Sequence, residues 1–180
     1  MTTLLLLSFC LAGGLQDSAG AAQPDPQLIR VHVRTDEGGI AEELAARHAS
    51  LTHLADAIAK QKKGKVMVVV AREDTADVVV EVVDRGVHVP RVVIGLGGMG
   101  NQPGRPAPLP PPTRLARLRV KATLAHGGDP VEFTNKNRAI ESESGWKSAA
   151  EDIAKQLEKW VTSQRAAILA ARRDLFQALR

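Results

Sequence analysis

The chain of 180 residues has no tyrosine, one cysteine, three phenylalanines and two tryptophans. A lone cysteine excludes an intrachain disulfide framework and any cysteine-rich zinc site. So few rings leave little with which to stack nucleic-acid bases, the usual companion of a basic groove in single-strand binders. The apolar run from Leu4 to Leu15 falls short of the ~20 residues that cross a bilayer. No serine sits in a nucleophile elbow, and no nucleophile, base and orienting group assemble by spacing. With 44% hydrophobic and 24% charged residues and a formal charge of +4, what remains is the composition of one globular domain.

What is present begins with a leader. Leu4 to Leu15 has the length of a signal-peptide core, and Ala19-Gly20-Ala21 supplies a small-x-small cleavage pattern. The sequence thus divides into a signal peptide over residues 1–22 and a single domain over 23–180, periplasmic or secreted, with no membrane-spanning segment in the mature chain. Cleavage removes Cys10, so the domain relies on its core alone.

Within that domain, Leu28 to Thr35 alternates apolar and polar residues, which predicts a half-buried strand. Leu51, Leu54, Ala55 and Ile58 mark one face of a helix over about 50–63, with Ser50 as N-cap and a further turn or helix over 40–48. Val66 to Val70 predicts a strand buried on both faces. Val78 to Val83 is the next strand, and Val87 to Gly95 is a further strand interrupted by Pro90. Residues 97–112 hold four glycines and six prolines and form a linker loop. Leu118 to Leu124 and Val131 to Thr134 flank the turn signal Gly127-Gly128. From Gly145 apolar residues advance by three or four to Leu179, one long helix capped by Ser144. The fold class is α+β: a mixed sheet of about five strands, with two helices on one face.

Motifs with chemical content are few. Gly95-Leu96-Gly97-Gly98-Met99-Gly100 has the spacing of a dinucleotide fingerprint, but a proline-rich run follows where that fingerprint opens a helix, so no cofactor is assigned. His48 and His53 are five apart, the wrong spacing for a zinc pair on one helix face. Asp74, Asp77, Glu81 and Asp84 lack a calcium-loop pattern and read as solvated turn and strand positions. Two basic groups stand out, Lys60, Lys62, Lys63 and Lys65, and Arg114, Arg117, Arg119 and Lys121. Each is either a solvated face or a contact for an anionic envelope component; without rings or a recognition helix, nucleic acid is not the partner.

The stretch from Leu51 to Val82, with a short helix, a buried strand, a turn and then Ala76-Asp77-Val78-Val79-Val80, resembles bacterial envelope domains of the TolB N-terminal and curli-secretion lipoprotein type. The resemblance implies an accessory or assembly domain without an active site. The expected function is therefore non-enzymatic binding in the envelope; the alternative is a small exported hydrolase or ligand-binding enzyme whose residues converge only in the fold. The long helix should exceed the body it covers and project or bend from about Arg165, still carrying an apolar stripe, either as a frayed amphipathic tail stabilised by cations near its C-terminus or as a docking helix. Ile168, Ala171, Leu175, Phe176 and Leu179 are thereby candidate docking residues for an envelope protein or a second copy. The leader predicts that the native protein begins near Gln23. Its intact mass decides this, and a cytoplasmic chain starting at Met1 contradicts it.

Overall fold

A computed structural model describes residues 27–35, 37–61, 66–90 and 112–178. The leader, the linker up to residue 111, Lys62, Lys63, Lys65 and Leu179 lie outside the described residues. The elements are β1 (Ile29–Thr35), α1 (Ala41–Ala59), β2 (Met67–Val69), a 3-10 turn at Glu73–Thr75, β3 (Val78–His88), β4 (Leu115–Leu124), β5 (Val131–Thr134) and α2 (Glu143–Ala178). One mixed five-stranded sheet has the order β2-β1-β3-β4-β5. β1 runs parallel to β2 and to β3, while β4 is antiparallel to both β3 and β5.

Strand alternation sends Ile29 and Val31 of β1, Val78, Val80 and Val82 of β3, and Leu118, Val120 and Ala122 of β4 to the same face. There they form one core with Leu54, Ala57 and Ile58 of α1 and Ile153, Leu157, Val161 and Ile168 of α2. Alanines 149, 150 and 154 are fully buried between the layers, so α2 comes close without a gap. Both helices therefore cover one face, as the α+β reading requires. Gly127 and Gly128 take φ of 99° and 125° in the β4–β5 turn, a left-handed backbone that only glycine adopts without strain.

Several local expectations need correction. α1 is a single helix from Ala41, and Ser50 lies buried in its middle rather than at its cap. The buried stripe is Arg47, Ser50, Leu54, Ala57 and Ile58. Its first two members are polar, so hydrophobic periodicity starts one turn late. β2 is an edge strand, and Val68 and Val69 are only half-buried, because β1 needs a partner on its outer side. No separate strand starts at Val87, since β3 runs on to His88; residues 91–95 lie outside the described residues. The N-cap of α2 is Ser142, whose Oγ accepts from the Gly145 amide at 3.1 Å, not Ser144. Gly145 is required there, because a Cβ would come within 1.7 Å of the Ile140 carbonyl oxygen.

β2 and β3 lie on opposite sides of β1, so the chain between them must cross β1. It crosses the outer face: His32 Nδ1 is 3.2 Å from the Val70 carbonyl, and Arg34 Nη1 donates to Glu73 at 3.0 and 3.1 Å. This crossing delivers Asp77 to the foot of β3. Asp77 is 5% exposed, not a solvated turn residue as its sequence neighbours suggest. Arg30 donates to it from Nε at 3.3 Å, from Nη2 at 2.9 Å and from its backbone amide at 2.7 Å. Arg172, near the end of α2, donates to the same carboxylate from Nε at 2.9 Å and from Nη2, and also to the Leu28 carbonyl at 2.8 Å.

α2 thus does not project beyond Arg165. Arg165 donates to the Gln27 carbonyl at 3.2 Å, and Ile168 is 1% exposed within the core. Burying one such side chain contributes about 1.5–3 kcal/mol, against ~0.3–1 kcal/mol for cations beside an exposed helix end. Packing therefore holds this part of the helix on the sheet.

Burial pushes the Asp77 carboxyl upward, but its bonds to Arg30 and Arg172 outweigh this and hold it below the ordinary aspartate value. A depressed carboxylate contributes stability above its unfolded pKa of about 3.9 and loses it as pH falls through the folded value. Asp77→Asn should lower stability by about 3 kcal/mol at neutral pH, since two arginines lose their counter-charge. It should also flatten the loss of stability below about pH 4. Urea melts of both chains at neutral and acid pH measure this; coincident curves contradict it.

Candidate functional site

Across β3, β4 and β5 the face opposite the helices carries no covering element among the described residues, and its side chains form ordered rows. One row runs Arg34, Glu81, Lys121, Glu132 from β1 to β5, alternating in sign at every strand. Arg34 bonds Glu81 at 2.8 Å, and Glu81 is the largest cause raising the Arg34 pKa. Cross-strand pairs of opposite charge stabilise a sheet by roughly 0.2–1 kcal/mol each. The neighbouring row places Asp84 opposite Arg119, with Thr134 on its far side. The next row places Gly86 opposite Arg117, and the one after it His88 opposite Leu115. Along β4, Lys121 therefore has an acid on both sides, Arg119 on one and Arg117 on neither. Positive charge accumulates toward the N-terminal end of β4.

A bulge at Val83 sets up this end. Val82 pairs with Val120 but Asp84 with Arg119, so the alternation of β3 reverses. Arg85 then turns to the helix side, with its guanidinium 4.3 Å from the Trp146 ring centroid and Nη1 donating to the Ala46 carbonyl at 2.9 Å. Burial lowers the Arg85 pKa, opposed by the charge of Glu143. Gly86 and His88 turn to the open face.

β3 and β4 outrun their neighbours here, and the segment after β5 completes the edge of β4. Asn135 does this with its side chain. Its Oδ1 accepts from the Leu118 amide at 2.7 Å, and its Nδ2 donates to the Ala116 carbonyl at 3.1 Å. The Ala116 amide donates to the Ala139 carbonyl at 2.8 Å. From α2, Asp152 accepts from the Lys136 amide at 2.7 Å, and Ser148 accepts from Asn137 Nδ2 at 2.9 Å. Gln156 donates to the Thr134 carbonyl at 3.1 Å. Residues 134–139 are thereby fixed between β4 and α2.

Between this segment and the β3–β4 ribbon lies a cleft of about 710 Å³. Arg117, Lys136, Arg138 and His88 line it, together with Leu115, Ala116 and Pro90. No carboxylate is among the described residues lining it. Among nearby acids, Glu141 pairs with Arg114 at 2.6 Å, Asp152 holds the Lys136 amide, and the Asp84 carboxylate lies beside Gly86, the cross-strand neighbour of Arg117. By contrast, Arg30, Arg34, Arg72, Arg114 and Arg172 each sit in an ion pair.

Other groupings are less open. A groove of about 550 Å³ brings together His32, His48, Glu37, Glu73 and Glu81, but Arg34 lies among them and neutralises the last two. Among the described residues no three His, Cys, Asp or Glu are placed to hold a metal ion. His53 Nε2 is 2.9 Å from Glu143 Oε1, tying α1 to the start of α2. Together with Lys147, this bond lowers the Glu143 pKa.

Of the docking residues expected on α2, Ile168 is committed to the core and Ala171 is half-buried, while Leu175 is 58% exposed. Phe176 belongs to the same helix, and Leu179 lies outside the described residues. Between them on the same helix, Arg172 turns toward Asp77. Of the basic group noted in the sequence, Arg117 reaches the cleft, whereas Arg114, Arg119 and Lys121 do not line it. Sequence reading missed His88, Lys136 and Arg138. The alternation Asn135-Lys136-Asn137-Arg138 was the available signal, with each amide turned to the protein and each cation to solvent. Neither known protein families nor curated proteins give a match to this chain.

Proposed function

We propose that this chain is an exported, non-enzymatic binding domain of the bacterial envelope, and that its binding surface is the cationic cleft between the β3–β4 ribbon and residues 134–138. The observation that carries this reading is the segregation of charge. Arg30, Arg34 and Arg114 of the sheet and its flank each sit in an ion pair, while Arg117, Lys136 and Arg138 line a cleft whose described lining has no acid. Unpaired like charges held together repel one another, and an anionic partner removes that cost on binding. The leader, the resemblance of about residues 50–83 to envelope accessory domains, and the absence of an acid from the described residues that line the cleft with His88 favour binding over hydrolysis.

In the native host the mature protein should fractionate with envelope fragments at low salt and leave them at high salt, as charge-mediated contacts do. The triple variant Arg117→Gln, Lys136→Gln, Arg138→Gln should be soluble at both. Retention unchanged by the three substitutions, or residence in the cytoplasm, overturns the proposal.

A further inference from the structure

The chemistry of the cleft narrows what it holds. Two arginines and one lysine, all exposed, are among its lining residues. Guanidinium forks match the paired oxygens of a phosphate, and an ammonium adds a point charge. The lining contains no aromatic ring, so a nucleobase finds no stacking surface. Thr113 and Thr134 bring hydroxyl-bearing residues to the lining, and Leu115 and Pro90 apolar ones. The volume of about 710 Å³ exceeds what a lone inorganic anion fills and lies within the range of small-molecule sites. The stretch from 91 to 111, which joins β3 to β4, contains no Asp or Glu, so it brings no counter-charge to this end of the sheet. The cations at 136 and 138 stand on a segment already fixed by Asn135, Asn137, Asp152 and Gln156. Binding there need not order the backbone first, which lowers its entropic cost.

We infer that the cleft is a site for a phosphomonoester or pyrophosphate group carried on a polar, non-aromatic body. Arg117 and Arg138 take the phosphate oxygens, and Lys136 neutralises the second charge. The inference rests on the reading of the cleft as the binding surface and names its ligand class. The same chemistry is offered by a lipid headgroup and by a free phosphate.

The test is titration calorimetry of the folded chain with sodium pyrophosphate and with citrate, followed by sedimentation with vesicles. Saturable pyrophosphate binding is expected, with citrate at least about tenfold weaker and with a loss of about tenfold for Arg117→Gln or Arg138→Gln. Arg72→Gln, in the crossing over β1 and paired with Asp74, should leave it unchanged. Phosphatidylcholine vesicles carrying roughly 20% phosphatidic acid identify the source: co-sedimentation places the group on a lipid, and its absence alongside pyrophosphate binding places it on a free phosphate. Equal binding of citrate and pyrophosphate overturns the phosphate assignment while leaving a general anion cleft. Binding of neither anion, or binding indifferent to Arg117→Gln and Arg138→Gln, overturns the assignment and the cleft reading together.

Discussion

A single buried carboxylate holds the two layers in register. Asp77 ends the crossing over β1, starts β3, and accepts from Arg30 in the sheet and Arg172 in α2. Two guanidinium groups on one aspartate are costly to desolvate, and the geometry that repays this cost exists only when β1, β3 and the end of α2 are all in place. Because α2 is 36 residues long, ~54 Å at 1.5 Å per residue, fixing its far end also fixes the angle at which its first turns meet β4 and β5. Those first turns hold residues 134–138, so the cleft is shaped in part by a contact at the opposite end of the helix.

The two faces of the sheet follow different rules. The inner face is filled by β-branched and aliphatic side chains and sealed by two helices. The outer face is organised by charge, with rows that are neutral near the β1 foot and increasingly positive toward Arg117. The bulge at Val83 joins the two regimes. It moves one cation, Arg85, to the Trp146 ring and leaves His88 on the open side, so a one-residue insertion decides which charges the cleft displays.

Much of the architecture was legible because it is written in apolar periodicity. The alternation of Ile29, Val31 and Val33, the run Val78–Val83, and the stripe Trp146, Ile153, Leu157 and Val161 all lead to the elements observed. What was not legible depends on polar residues in buried roles. Arg47 and Ser50 extend the buried stripe of α1, and Asn135 replaces backbone in the ladder of β4. Asp77 looks like any turn acid until its partners, 47 and 95 positions away, come to it. The cleft was half-legible. Arg117 belonged to a noticed basic group, but its lack of counter-charge is a property of strand register, which one sequence does not display. The extension of α2 was misread for the same reason, since Arg172 looks like a tail cation until Asp77 lies beside it.

The clamp at Asp77 requires the far half of α2 to be part of the folded body. Native-state amide hydrogen exchange measures this directly, residue by residue. Amides 165–172 should open with the same free energy as those around Ile153 and Leu157, and Arg172→Met should lower protection there and also at Lys136, whose amide is held by Asp152. Exchange of 165–172 at the rate of an unstructured peptide, with Lys136 unaffected by the substitution, would contradict the clamp and the coupling built on it.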